Sequence, residues 1–99
     1  MPGYVIAHYK VTDNEGIGKY VEAVMPILAA RGGEAVVVDT GSQVMEGDAP
    51  HQSVVVKFPT VAAARAFYDS PEYQAVRHLR TDSSTDGSLV IVEGVEGPD

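Results

Sequence analysis

The chain has 99 residues, 44% of them hydrophobic and 21% charged, with a mean hydropathy near zero. Fourteen acids against seven bases leave a formal net charge of −7, a field that repels phosphate backbones, so no nucleic-acid partner is expected. The absence of cysteine excludes disulfides and thiolate chemistry, and apolar runs of only a few residues are too short to span a membrane.

This length suits one domain over 1–99, with its core in residues 4–95, small enough to gain from pairing with a second copy. Met1-Pro2-Gly3 runs straight into a strand with no basic region or cleavage pattern, so the expectation is no export signal and a cytoplasmic location.

Tyr4 to Val11 alternates as two faces, Tyr4-Ile6-His8-Lys10 and Val5-Ala7-Tyr9-Val11, rich in β-branched and aromatic residues. Thr12 and Asp13 close this strand and offer capping oxygens to a helix. From Ile17 the apolar positions Ile17, Tyr20, Val21, Val24, Met25 and Leu28 form one helical stripe. Pro26 falls on the opposite side, where its ring would bend the helix around the core, and Gly32-Gly33 supply a left-handed stop.

Glu34 to Thr40 reads as a second, Val-rich strand, extended past an irregularity by Val44-Met45-Glu46-Gly47. Ser53 to Phe58 is the third, with Val54, Val56 and Phe58 on one face. Thr60 starts a short Ala-rich helix over Val61 to Tyr68 that packs Ala64 and Phe67. Ser70 then caps a second helix, with Pro71 at its first position and Glu72 at the positive end of its dipole. That helix runs to about Arg80 with Ala75, Val76 and Leu79 inward. Thr81 to Gly87 reads as a polar loop, Leu89 to Val95 as the last strand, and Glu96 to Asp99 as a frayed acidic tail.

The order β-α-β-β-α-β, with the second crossover divided at Ser70, predicts an α+β fold. Right-handed crossovers give a ferredoxin-like antiparallel sheet of four strands in the order 4-1-3-2, with the helices on one face. Both edge strands are Val-rich and the uncovered face still carries Val and Tyr, which predicts a homodimer built face to face.

Phe58-Pro59 before a helix start, the segment Phe67-Tyr68-Asp69-Ser70-Pro71-Glu72-Tyr73-Gln74, and the ends Glu46-Gly47 and Val92-Glu93-Gly94 resemble a bacterial domain-of-unknown-function family. It belongs to the dimeric α/β barrel superfamily, alongside antibiotic-biosynthesis monooxygenases, muconolactone isomerases and EthD-like proteins. The resemblance runs from Tyr4 to Val95. It implies a dimeric α/β barrel with a pocket between sheet and helices and, for an enzyme, cofactor-independent oxygenation or isomerisation.

Among residues able to carry chemistry, His8 sits mid-strand on the first strand, either as a general base or ligand contact, or as a half-buried histidine hydrogen-bonded at the dimer seam. His51 lies in a loop and His78 on the polar side of its helix. With no i, i+4 pair and no His-x-His, no metal site is expected, and no cofactor fingerprint is present. Tyr73, Val76, Arg77 and Arg80 make a stripe on the last helix. Arg80 can lay its stem over the core edge and present its guanidinium to a ligand's carboxylate, or to one of the protein's own such as Asp82 or Glu93. Tyr20, Tyr68 and Tyr73 either line a cleft or are core residues with wet hydroxyls.

Two functions stay open from the sequence. One is a homodimer binding a small organic molecule, with cofactor-independent oxygenation or isomerisation as the implied chemistry and His8 and Arg80 positioning the substrate. The other is a non-catalytic structural or ligand-sensing module. Neither calls for a membrane.

Overall fold

A computed structural model describes residues 1–95, and the tail read over Glu96–Asp99 lies outside them. The elements in chain order are β1 (Gly3–Val11), α1 (Asn14–Ala30), β2 (Glu34–Asp39), β3 (Gln52–Phe58), α2 (Val61–Asp69), α3 (Pro71–Thr81) and β4 (Ser84–Glu93). All strand pairs are antiparallel and the sheet order is β2-β3-β1-β4, the expected order read from the other edge. This is the ferredoxin-like arrangement, in which each crossover, β1-α1-β2 and β3-α2-α3-β4, skips one strand that belongs to the other.

Each helix starts where its sequence offers an oxygen to orphan amides. Asp13 accepts from the amides of Glu15 and Gly16, and Thr60 accepts from Ala63. Ser70 serves two helices at once: its Oγ donates to the Phe67 carbonyl at 2.7 Å and accepts from the Tyr73 amide at 3.2 Å. One buried serine therefore ends α2, starts α3 and sets the direction in which Tyr73 enters the core. Gly32 takes a φ of +79°, the left-handed value that stops α1 as expected.

The pleat sorts the strands into two faces. Val5, Ala7 and Tyr9 of β1 join Gln52, Val54, Val56 and Phe58 of β3 under the helices. Phe58, Phe67 and Tyr73 stack as an aromatic run, with centroids 5.3 Å and 4.6 Å apart, and Ala64 lets α2 approach closely. On the other face, adjacent strands align in rows across the sheet. One row is Val37, Val55, Ile6 and Val90, and the next is Asp39, Ser53, His8 and Ser88.

Three readings need correction. Val44 to Gly47 forms no strand, because Gly47 turns left-handed with a φ of +80° and the segment finds no ladder partner. Ser84 to Gly87 is not a loop but the first turn of ladder in β4, pairing Thr85 with Lys10 and Ser84 with Val11. Its polar composition is accommodated by an irregularity in which Asp86 takes a φ of 56°. On α3 the buried positions are Tyr73 and Arg80, with Val76 and Leu79 half-buried and Ala75 exposed. The helix is rotated toward α1 because Tyr73 meets Tyr20 there.

Candidate functional site: a cavity closed by a buried guanidinium

The backbone of α1 approaches α3 closely and keeps its distance from the strands beneath it. Ala7 and Ala35 face this space, where longer side chains would have filled the gap between the layers. The result is a cavity of about 110 Å³ whose walls are mostly aliphatic: Val5, Val24, Leu28, Val54 and Val56, with Phe67. Val21, Met25 and Val38 line the same space yet are 45%, 49% and 64% exposed, so they form its rim at the α1–β2 side. The helical stripe read from the sequence thus divides. Ile17, Val24 and Leu28 are buried, while Val21 and Met25 open outward because no strand lies close beneath them.

Polar groups gather at one end. Tyr9 and Gln52 are register partners on β1 and β3, and the Gln52 amide donates to the Tyr9 hydroxyl at 3.3 Å. Tyr20 on α1 and Tyr73 on α3 share a hydroxyl–hydroxyl bond of 3.0 Å, their rings meeting edge to face. Arg80 completes this wall. It follows Tyr73 by seven residues, two turns along the same face, and its guanidinium carbon lies 5.9 Å from the Tyr9 ring centroid.

Arg80 is only 6% exposed, makes no ion pair among the described residues, and its buried Nε has no hydrogen-bond partner. Neither Asp82 nor Glu93 answers it. Burial works to lower the Arg80 pKa while the neighbouring Tyr73 and Tyr20 work to raise it, with the net direction upward, and an arginine side chain stays charged in proteins. Its place in the last turn of α3, where the helix dipole favours a cation, offsets part of the desolvation. A charged, buried donor without an acceptor is the feature of this protein that structure alone does not use.

Burial, and then Tyr73, push the Tyr20 hydroxyl pKa up, and burial does the same for Tyr9. Both pKa values are raised on folding, so the stabilisation by neutral Tyr is complete below the unfolded value near 10 and is lost as pH rises through it toward the folded value. The melting midpoint is therefore expected to fall above about pH 10, and Tyr20→Phe to flatten that decline. Melting curves across the alkaline range, with tyrosinate absorbance followed in parallel, check this; an unchanged slope in the variant refutes it.

The sequence candidates separate. Tyr20, Tyr73 and Arg80 come together at the cavity. Tyr68 does not line it; its ring packs on Tyr73 at 5.5 Å and its hydroxyl accepts from Arg77. His8 lies on the opposite face of the sheet, where its Nδ1 sits 3.1 Å from Ser53 Oγ, which in turn bonds Ser42 Oγ at 2.7 Å. The structure therefore does not bring His8 and Arg80 to one substrate within a protomer. His51, His78 and Glu46 are exposed. Among the described residues no three histidines or acids converge in a metal-binding group. Tyr9 and Gln52 were missed, although each continues an apolar alternation with a polar group: Val5-Ala7-Tyr9, and Gln52 two residues before Val54. A polar residue in phase with a buried face was the available signal.

A four-stranded antiparallel sheet with helices on one face and a cavity between the layers defines a ferredoxin-like α+β protein of the kind that encloses a small pocket. More particularly, the chain belongs to the family of domains of unknown function DUF1330, which matches residues 2–95. No curated protein matches it. It is similar in structure to a protein of unknown function from Rhodopseudomonas palustris, with TM-score 0.79 and 16% identity over 97% of this chain and 84% of that one. A dimeric ferredoxin-like protein of unknown function from Thermobifida fusca YX is similar at TM-score 0.66 and 18% identity, covering 95% and 92%. A Caulobacter crescentus CB15 protein suggested to be an antibiotic biosynthesis monooxygenase follows at TM-score 0.61 and 12% identity, covering 96% and 91%. These likenesses establish the fold.

Proposed function

We propose that the chain acts as a homodimer in which each protomer binds a small organic molecule in the cavity between α1 and the sheet. The observation that carries this is the cavity itself, an apolar space of about 110 Å³ with Arg80, Tyr9, Tyr20, Tyr73 and Gln52 converging at one end. The dimer is supported by the apolar row across the uncovered sheet face and by the dimeric ferredoxin-like proteins that share the fold. Among the described residues that line the cavity there is no carboxylate, histidine, lysine or serine, and both tyrosines with raised pKa values are poor bases at neutral pH. That lining favours binding and sensing over isomerisation, which needs a proton acceptor beside the substrate; the oxygenation suggested for the Caulobacter crescentus protein remains the catalytic alternative.

Ala7→Leu tests the reading, because its added carbons enter the cavity from the central strand. A panel of small aromatic and branched compounds is expected to include binders that raise the melting midpoint of the wild type and leave that of Ala7→Leu unmoved. No midpoint shift with any compound, or equal shifts in both proteins, would remove the cavity as a binding site.

A further inference from the structure

Resting on the reading of this cavity as a ligand site, we infer that its occupant is a small carboxylic acid bound as the monoanion. Its carboxylate lies on Arg80 and its compact apolar body lies among Val5, Val24, Leu28 and Val54. The charge follows from Arg80. Its Nε is buried and unsatisfied, and among the described residues no acid lies within ion-pairing distance. A neutral occupant can answer that donor with a carbonyl or hydroxyl oxygen but leaves the buried charge unbalanced, and a cation is repelled by it. The guanidinium fork matches a carboxylate in plane and spacing, and hydroxyl groups stand nearby to satisfy the remaining lone pairs.

A single positive charge argues against dianions. The other polar groups of the wall, Tyr9, Tyr20, Tyr73 and Gln52, are neutral, and the chain as a whole carries −7. Phosphate esters would bring two charges to a site that balances one. The size follows from the cavity, whose 110 Å³ is somewhat below the roughly 150 Å³ of an engineered apolar cavity that admits benzene. A short branched chain fills it, and one ring is the upper limit of what it holds. Entry is from the α1–β2 rim, where Met25 has the rotamer freedom to move aside, so the apolar rim admits the molecule and the charge is met at the far end.

Two acid–amide pairs test the inference on the intact protein by calorimetry: benzoate with benzamide, and isobutyrate with isobutyramide. The amides keep the shape and remove the charge. At least one acid is expected to bind about a hundredfold more tightly than its amide, the factor associated with a hydrogen bond to a charged group. Binding of that acid should shift the Arg80 Nε–H resonance in nitrogen-labelled protein. Arg80→Met should abolish the preference, bringing the acid's affinity down to that of its amide. If an acid and its amide bind equally well in the cavity, the acid is wrong and the ligand site stands. If neither pair binds while other compounds of the panel raise the wild-type midpoint, the acid is wrong and the ligand site stands; if no compound does, the cavity reading falls with it. Acid binding that leaves the Arg80 resonance still, or that survives Arg80→Met, also overturns the assignment; the resonance keeps it testable should that variant fail to fold.

Discussion

Ile6→Asp is expected to yield a folded monomer. Ile6 stands at the centre of the uncovered sheet face, between Val55 on β3 and Val90 on β4, and Val37 on β2 completes the row. In the isolated protomer this side chain is half-buried and Val37 and Val90 are 41% and 50% exposed, so an aspartate there stays in water and costs the fold little. In the proposed face-to-face dimer the same carboxylate would be buried against apolar partners, and two-fold symmetry would add a second. Desolvating an unpaired charge costs several kcal/mol, enough to weaken association by at least about a hundredfold. Light scattering at micromolar concentration should give twice the protomer mass for the wild type and the protomer mass for the variant, with unchanged circular dichroism. A monomeric wild type, or a variant that remains dimeric, refutes the interface.

Tyr73→Ala should destabilise the fold by about 3–5 kcal/mol, the range for deleting a fully buried aromatic ring. Tyr73 is wholly buried and contacts three other rings: Phe67 at 4.6 Å, Tyr68 at 5.5 Å and Tyr20 at 6.4 Å. It joins α3 to both α1 and α2, so its loss opens a cavity at the junction of all three helices. Tyr73→Phe keeps the ring and deletes only the hydroxyl bond to Tyr20, for which about 1 kcal/mol is expected. In a domain of this size 1 kcal/mol moves the midpoint by roughly 4–8 °C. The two variants should therefore differ by roughly 8–32 °C, or roughly 2–4 kcal/mol by denaturant titration. Equal losses would mean that the hydroxyl pair, not ring packing, holds the helices together.

Much of the architecture was legible because it rests on local chemistry. Alternation placed β1 and β3 and told their two faces apart, and Asp13, Thr60 and Ser70 announced three helix starts by their capping oxygens. Short polar stretches were harder. Ser84 to Gly87 has the composition of a loop, yet β1 offers free ladder groups at Lys10 and Val11, and pairing there outweighs local preference. Val44 to Met45 has strand-like residues but no neighbour to pair with, and stays irregular.

The site was half legible. Arg80 was singled out from its helical position, as were Tyr20 and Tyr73, but nothing local could say that Arg80 would be buried without an acid. Asp82 and Glu93 are near in sequence, and only the placement of α3 over the sheet turns the guanidinium toward Tyr9 instead. His8 shows the converse. Its strand position was right, but the sheet stands between it and Arg80, because side chains one residue out of phase on a strand point to opposite faces.

Periodicity and capping thus determined which segments are helix and strand and the order in which they join, since both depend on neighbours within a few residues. The cavity depends on a distance between α1 and a sheet assembled from four separated segments, and on two alanines, Ala7 and Ala35, that face the same space only after folding. Packing across the chain, which no local pattern encodes, decided that a charged side chain would end inside it.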